Sequence, residues 1–284
     1  MNIKKVTTAA AALFAAASIC AVPACADNDN YSTITRGLTM QVNGDVNGDG
    51  KVDISDVVQI AAQVKGKTSI KGENAYLADT NGDYTVNVSD VSLAAAQVKG
   101  KSPMGDVKCG RAVREARKFL HSGVFHIRLS QPEEGKNTSV MDVSMNGNDF
   151  KTLMTGYISD SVWNEYEYVA SGSSFYEINL VSKEYMVTNV TKNAAQSQSN
   201  IVSLTLGEKY TYIGQKAAEG GMAEVYKNTS GSSTSYFAYI SEGGVLKKVI
   251  KYTDDEAPST VIIDTISGEA EITVPDLTGY TKRE

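Results

Sequence analysis

"DVNGDGKVDISD", residues 45–56, places four carboxylates and one Asn within twelve residues, separated by small or apolar ones. Like charges this close repel, so the arrangement needs a counter-charge to be stable. A related stretch, "DTNGDYTVNVSD", begins at Asp79. Aligned on itself, the chain repeats at a spacing of 34 residues: "DVNGDGKVDISDVVQIAAQVKGK" (45–67) matches "DTNGDYTVNVSDVSLAAAQVKGK" (79–101) without a gap.

Counted from its first Asp, each loop offers oxygen groups at positions one, three, five, nine and twelve, with a backbone carbonyl at seven. That pattern surrounds a hard cation. The first loop supplies Asp45, Asn47, Asp49, Asp53 and Asp56 with the carbonyl of Lys51; the second supplies Asp79, Asn81, Asp83, Asn87 and Asp90 with that of Thr85. Neither loop contains His or Cys, which disfavours softer metals, and magnesium prefers a tighter octahedral shell. The expected cofactor is therefore Ca2+, two ions in all. Gly50 stands sixth, where a positive φ is expected; Tyr84 takes that place in the second loop. A non-glycine residue there costs about 1 kcal/mol. The second loop also has three carboxylates against four, so weaker calcium affinity is expected at the second site. Val52 and Val86, both eighth, are expected to pair the loops.

Each loop runs into one helix, with apolar stripes of Val57, Ile60, Ala61 and Val64 in the first and Val91, Ala94, Ala95 and Val98 in the second. No entering helix precedes Asp45, and position twelve is Asp where an ordinary EF-hand has Glu. In these features residues 43–104 resemble a type I dockerin, the duplicated calcium-loop-and-helix module of cellulosomal proteins. The resemblance implies a small all-α module that binds a cohesin domain on a scaffoldin. It also implies partner contacts at Ile54, Ser55, Val88 and Ser89, and at the small helix residues Ala62 and Ala96, with two docking orientations related by a half turn. Ala61 and Ala95 fall on the apolar stripes and are read as packing. A module of about 60 residues without disulfides buries little, so metal is expected to supply much of its stability.

After the Pro- and Gly-bearing "SPMGD" (102–106), composition changes: twelve of the fifteen tyrosines follow, among short alternating runs of Val, Ile and Thr. One helix is expected in "KCGRAVREARKFLHSG", with Ala112, Val113, Ala116, Phe119 and Leu120 on one face and a stop at Gly123. A dozen strand-like runs succeed it, the last being "AEITVPD" (270–276). The fold class expected is thus multidomain, the all-α module followed by an α+β domain (105–284) with a mainly antiparallel sheet. In layout alone, this second region resembles the half-barrel of outer-membrane lipoprotein carrier proteins, which would imply an apolar ligand.

No catalytic residue is identified. Glu133, Glu134, Asp142, Glu165 and Glu167 are ordinary surface carboxylates by pattern, and no G-x-S-x-G elbow is present. His121 and His126 flank the helix end, and Cys109 has no evident partner base. Tyr166, Tyr168, Tyr176, Tyr210, Tyr212, Tyr236 and Tyr239 are candidates for a sugar platform, set against their use as strand residues shared between core and surface. The alternative to a binding or structural domain is a polysaccharide-degrading hydrolase of unrecognised family.

Net charge is −6, and the seven Asp of the two loops account for all of it. No basic stripe suggests nucleic acid. Lys4 and Lys5, the run "VTTAAAALFAAASICAV" and "ACA" (24–26) read as an export signal over residues 1–26, followed by a flexible lead at 27–42. Export is therefore expected, and the dockerin resemblance implies a place in an extracellular or cell-surface multienzyme complex. "VPAC" offers the alternative of a lipid anchor through Cys25. If cleavage follows Ala26, Cys109 is the only thiol left.

Overall fold

A computed structural model describes residues 30–132, 135–159, 162–191, 194–231, 233–253 and 257–283. The export signal, Cys25, Glu133 and Glu134 lie outside the described residues. No helix among those described is long and apolar enough to cross a membrane.

The described residues begin with α1 (Asn30–Thr35), then α2 (Ile54–Val64), a single 3-10 turn (Ala75–Ala78) and α3 (Val88–Val98). Both loop helices start for the same local reason. Asp53 and Asn87 are extended N-caps that accept from Ser55 and Ser89 amides, and Asp56 and Asp90 close the reciprocal capping box. The 34-residue symmetry persists past the helices. Gln63 Oε1 accepts from the Ile70 amide at 3.0 Å, and Gln97 Oε1 from the Met104 amide at 2.8 Å. Val57, Ile60 and Ala94 are buried with Tyr76, Leu77 and Ala78. Val64 and Val98, at the ends of the expected stripes, are exposed.

Next comes α4 (Arg111–Ser122), ended by Gly123 in the left-handed region at φ 72°. It leads into β1 (Val124–Gln131), β2 (Ser139–Asn146), β3 (Asp149–Ser159), β4 (Val162–Ser171), β5 (Ser174–Asn179) and β6 (Glu184–Asn189). After α5 (Ala194–Thr205) follow β7 (Thr211–Ala218), β8 (Gly221–Ser230), β9 (Ser233–Glu242), β10 (Val245–Tyr252), β11 (Ser259–Ser267) and β12 (Thr281–Lys282). The strands form one sheet in the order β12-β6-β5-β4-β3-β2-β1-β11-β10-β9-β8-β7. Two antiparallel meanders meet where β11 pairs with β1; only β12 runs parallel to its neighbour, β6. Alternation along β1 turns Phe125, Ile127 and Leu129 into the core, and Met141, Val143 and Met145 of β2 face them. Ala112, Val113, Ala116 and Leu120 of α4 and Val202 of α5 belong to that core.

Three details depart from the pattern reading. "AEITVPD" is not a strand: β1, β10 and β11 already have partners on both sides, so the chain continues to the open edge at β6. The polar "AAQSQSNIVSLT" forms α5, whose apolar spacing is too sparse to signal a helix. The segment expected to be a flexible lead is laid on the sheet. Ile34 is buried against Ala223, Val225, Ala238 and Ile240, and Thr39 exchanges two backbone hydrogen bonds with Gln215 at 2.8 and 3.0 Å.

The core is continuous from the loop module into the sheet domain. Tyr76, Leu77 and Ala78 share one apolar cluster with Val107, Cys109, Ala112 and Val113. The connecting "SPMGD" is tied down at two adjacent residues: the Met104 amide bonds to Gln97, and the Gly105 carbonyl accepts from Asn43 Nδ2 at 3.0 Å.

Candidate calcium loops and their seat on the sheet domain

The two loops close by the same set of hydrogen bonds. Asp45 Oδ1 accepts from the Gly48 and Asp49 amides at 2.7 and 3.1 Å, and its Oδ2 from Gly50 at 2.8 Å. Asp79 repeats this with Gly82, Asp83 and Tyr84 at 2.9, 3.1 and 2.8 Å. Asn47 and Asn81 accept from Asp49 and Asp83; Asp49 and Asp83 accept from Lys51 and Thr85. At the twelfth position Asp56 accepts from Val46, Asn47 and Asp53, and Asp90 from Asn81, Asn87 and the Thr80 hydroxyl. In each loop the side chains of the first, third, fifth and twelfth residues are thus tied to the backbone amides of the turn. No ladder pairing joins Val52 to Val86 among the described residues.

Asp45 and Asp56 are both buried, with no cationic side chain paired to either among the described residues. Among those residues, no three His, Cys, Asp or Glu side chains form a group that could hold a metal ion. Two buried carboxylates supported only by amides leave negative charge uncompensated. An all-oxygen donor set with that excess fits calcium.

The second loop is different. Tyr84 adopts φ 70° where Gly50 has 85°. Its ring packs against His121 at 4.4 Å between centroids, tilted by 34°, and the Arg114 guanidinium lies 5.7 Å from its centroid. Arg114 of α4 also donates to Asp79 Oδ2, an ion pair in which the side chains are 7% and 0% exposed. Lys108 Nζ reaches the Asn81 carbonyl at 3.5 Å. A cleft of about 860 Å³ runs between the two units here, lined by Tyr76, Asp79, Asn81, Arg114, Arg117 and Tyr212 among others. Nothing local in the sequence marked Arg114.

α4 itself is held by a distant residue. Gly110 has no side chain to cap the helix; Glu224 of β8 accepts instead from the Ala112 and Val113 amides at 2.6 and 3.2 Å. A Cβ on Gly110 would lie 2.2 Å from the Glu224 carboxyl carbon. Burial pushes the Glu224 carboxyl up to about 7, against the hydrogen bonds that favour its charged form. Glu224 shares the inward register of Tyr226, and a Glu on that register was the available signal.

Ile54 and Val88 project at equivalent repeat positions, 66% and 68% exposed. Ser55 and Ser89 are exposed beside them, and Ala62 and Ala96 half-buried. These are the residues singled out for partner contact.

The remaining candidates have structural partners. Glu165 accepts from Trp163 Nε1, Glu167 pairs with Lys151, and Asp142 bridges His126 and Arg128. His121 Nδ1 lies 2.9 Å from the Arg117 carbonyl. Burial raises the Cys109 thiol to about 11, far from thiolate chemistry. Tyr168, Tyr212 and Tyr239 are buried. Tyr166 stacks on Tyr168 and Tyr210 on Phe237, while Tyr176 and Tyr236 are half-buried. Five of the seven rings, those of Tyr166, Tyr168, Tyr210, Tyr212 and Tyr239, pack against other aromatic rings.

The family model "Dockerin type I domain" matches residues 43–98, so the chain carries a type I dockerin, a calcium-binding module whose partner is a cohesin. No curated protein matches the chain. Among solved structures, an uncharacterized conserved protein from Thermus thermophilus is 6% identical, covers 60% of this chain and 97% of its own, and has a TM-score of 0.36. PNGF-II in its C2 crystal form is 12% identical, covers 57% of this chain, and has a TM-score of 0.25. The match spans 31% of that protein's length. Scores this low say nothing about function.

Proposed function

We propose that this is an exported component of a cellulosome-type assembly, tethered to a scaffoldin cohesin by its dockerin and carrying the sheet domain as non-catalytic cargo. Asp45, Asn47, Asp49, Asp53, Asp56 and the Lys51 carbonyl would hold one calcium ion. Asp79, Asn81, Asp83, Asn87, Asp90 and the Thr85 carbonyl would hold the second. Bound calcium supplies the positive charge that the clustered carboxylates lack. The chain's own part is to preset the loops through backbone amides and to start α2 and α3 from them. Those helices then hold Ile54, Ser55, Ala62, Val88, Ser89 and Ala96 as the cohesin-facing surface.

The observation that carries this reading is the recurrence, 34 residues apart, of one closed loop, one capping box and one exposed aliphatic residue. For the cargo, support comes from the candidate carboxylates: those described are each engaged in ion pairs or hydrogen bonds with neighbours on the sheet. Its role is to bind a ligand, polysaccharide or partly apolar, or to serve structure.

Chelation is the direct test. Adding EGTA to the full chain should abolish capture on immobilised cohesin and lower the helical signal in circular dichroism. Retention of both would remove calcium from the account. Incubation with insoluble polysaccharides should release no reducing sugar; release would make the sheet domain a hydrolase.

A further inference from the structure

We propose that Arg114 is a resident competitor for calcium at the second loop, so that filling this loop opposes the seating of the dockerin on α4. The inference rests on the calcium reading above and concerns only how the two sites differ. Asp79 is the first oxygen donor of its loop. One of its oxygens is shared between the Tyr84 amide and the Arg114 guanidinium, both in a nearly solvent-free setting. Lys108 adds a second positive charge at the Asn81 carbonyl. The corresponding carboxylate of the first loop, Asp45, has no cationic partner among the described residues.

A divalent ion entering the second loop must share Asp79 with a guanidinium already in contact with it. Like charges at such distances repel strongly, and more so away from water. Either the ion binds less tightly or Arg114 leaves. Arg114 is not free to leave alone. It rides on α4, whose Ala112, Val113 and Ala116 share a core with Tyr76, Leu77 and Ala78 of the dockerin. Tyr84 is bound to the same helix through His121 and Arg114. Displacing the guanidinium therefore loosens the seat between the units. The cleft lined by Asp79, Asn81, Lys108 and Arg114 adjoins this pair. Cys109, buried at this junction, reports on the seat.

The test is a calorimetric calcium titration of the full chain, unaltered and as Arg114→Met. The unaltered protein should show two classes of site about tenfold or more apart. Arg114→Met should tighten the weaker class by about tenfold and leave the tighter one unchanged. An unchanged or weakened second class in the variant, or two equal sites in the unaltered chain, would overturn the proposal. Because the variant could lose its fold, the unaltered chain supplies a second measurement: maleimide labelling of Cys109, followed by peptide mass. Labelling should stay slow while only the tighter class is filled and accelerate at least about tenfold when the weaker class fills. A constant rate overturns the coupling. Absence of any calcium binding would sink the proposed function as well, whereas two equivalent sites would sink this inference alone.

Discussion

The two loops are near copies in sequence and in their internal hydrogen bonds, yet they occupy different electrostatic settings. The first presents buried Asp45 and Asp56 with no cationic side chain paired to them among the described residues. The second has Asp79 already bonded to Arg114 and Tyr84 packed against His121. A duplicated motif is thus made unequal by what it packs against. The Gly-to-Tyr change at the sixth position, read locally, is a strained residue at φ 70°. Read in the fold, it is also a contact between units.

The sharpest way to break this contrast is to remove the first carboxylate of each loop in calcium-free buffer. Asp79→Ala leaves a buried guanidinium with only the half-exposed Glu115, 3.5 Å away, to balance it and should lower stability in urea melts by about 3 kcal/mol. Asp45→Ala abandons three amides but no charge, and should cost about 1–3 kcal/mol. Equal losses would mean that Arg114 does not distinguish the loops.

Next in size is the support of α4, the helix that delivers Arg114. Glu224 has its pKa raised by burial from 4.5 to about 7, with Tyr226, Arg117 and the Ala112 and Val113 amides around it. Between those values the folded chain holds a proton that the unfolded chain has released. The stabilisation is complete below about pH 4.5 and is lost as pH rises through about 7, at up to about 1.4 kcal/mol per pH unit. Urea melts from pH 4.5 to 8 should show this slope flattened in Glu224→Gln. An identical slope in the variant would place the titration elsewhere.

The smallest effect is expected at the sixth positions. Tyr84→Gly relieves about 1 kcal/mol of left-handed strain but gives up stacking and cation–π contacts of similar size, so its melting temperature should barely move. Gly50→Tyr introduces the strain beside open space and should cost about 1 kcal/mol. Matching shifts for the two would show that the Tyr84 contacts contribute nothing.

How much was legible follows from sequence distance. The loops were readable because every donor, turn residue and cap lies within twelve positions. α4 was readable because its apolar spacing is regular up to Gly123. The Arg114–Asp79 pair spans 35 positions, and the Glu224 cap spans more than 100. No periodicity links such residues. The lead carries one buried anchor, Ile34, too little to announce that it lies on β8 and β9. The fate of "AEITVPD" depended on which strand edges were already taken, a property of the whole sheet.

By itself the sequence determined the calcium-type loops, their helices and the alternation that makes a sheet, since each arises from contacts between near neighbours along the chain. Only the tertiary structure decided that the two loops differ, that the dockerin shares a core with its cargo, and that α4 is capped from another strand. Those outcomes depend on which charges and surfaces meet after folding, and burial sets how strongly they act on one another.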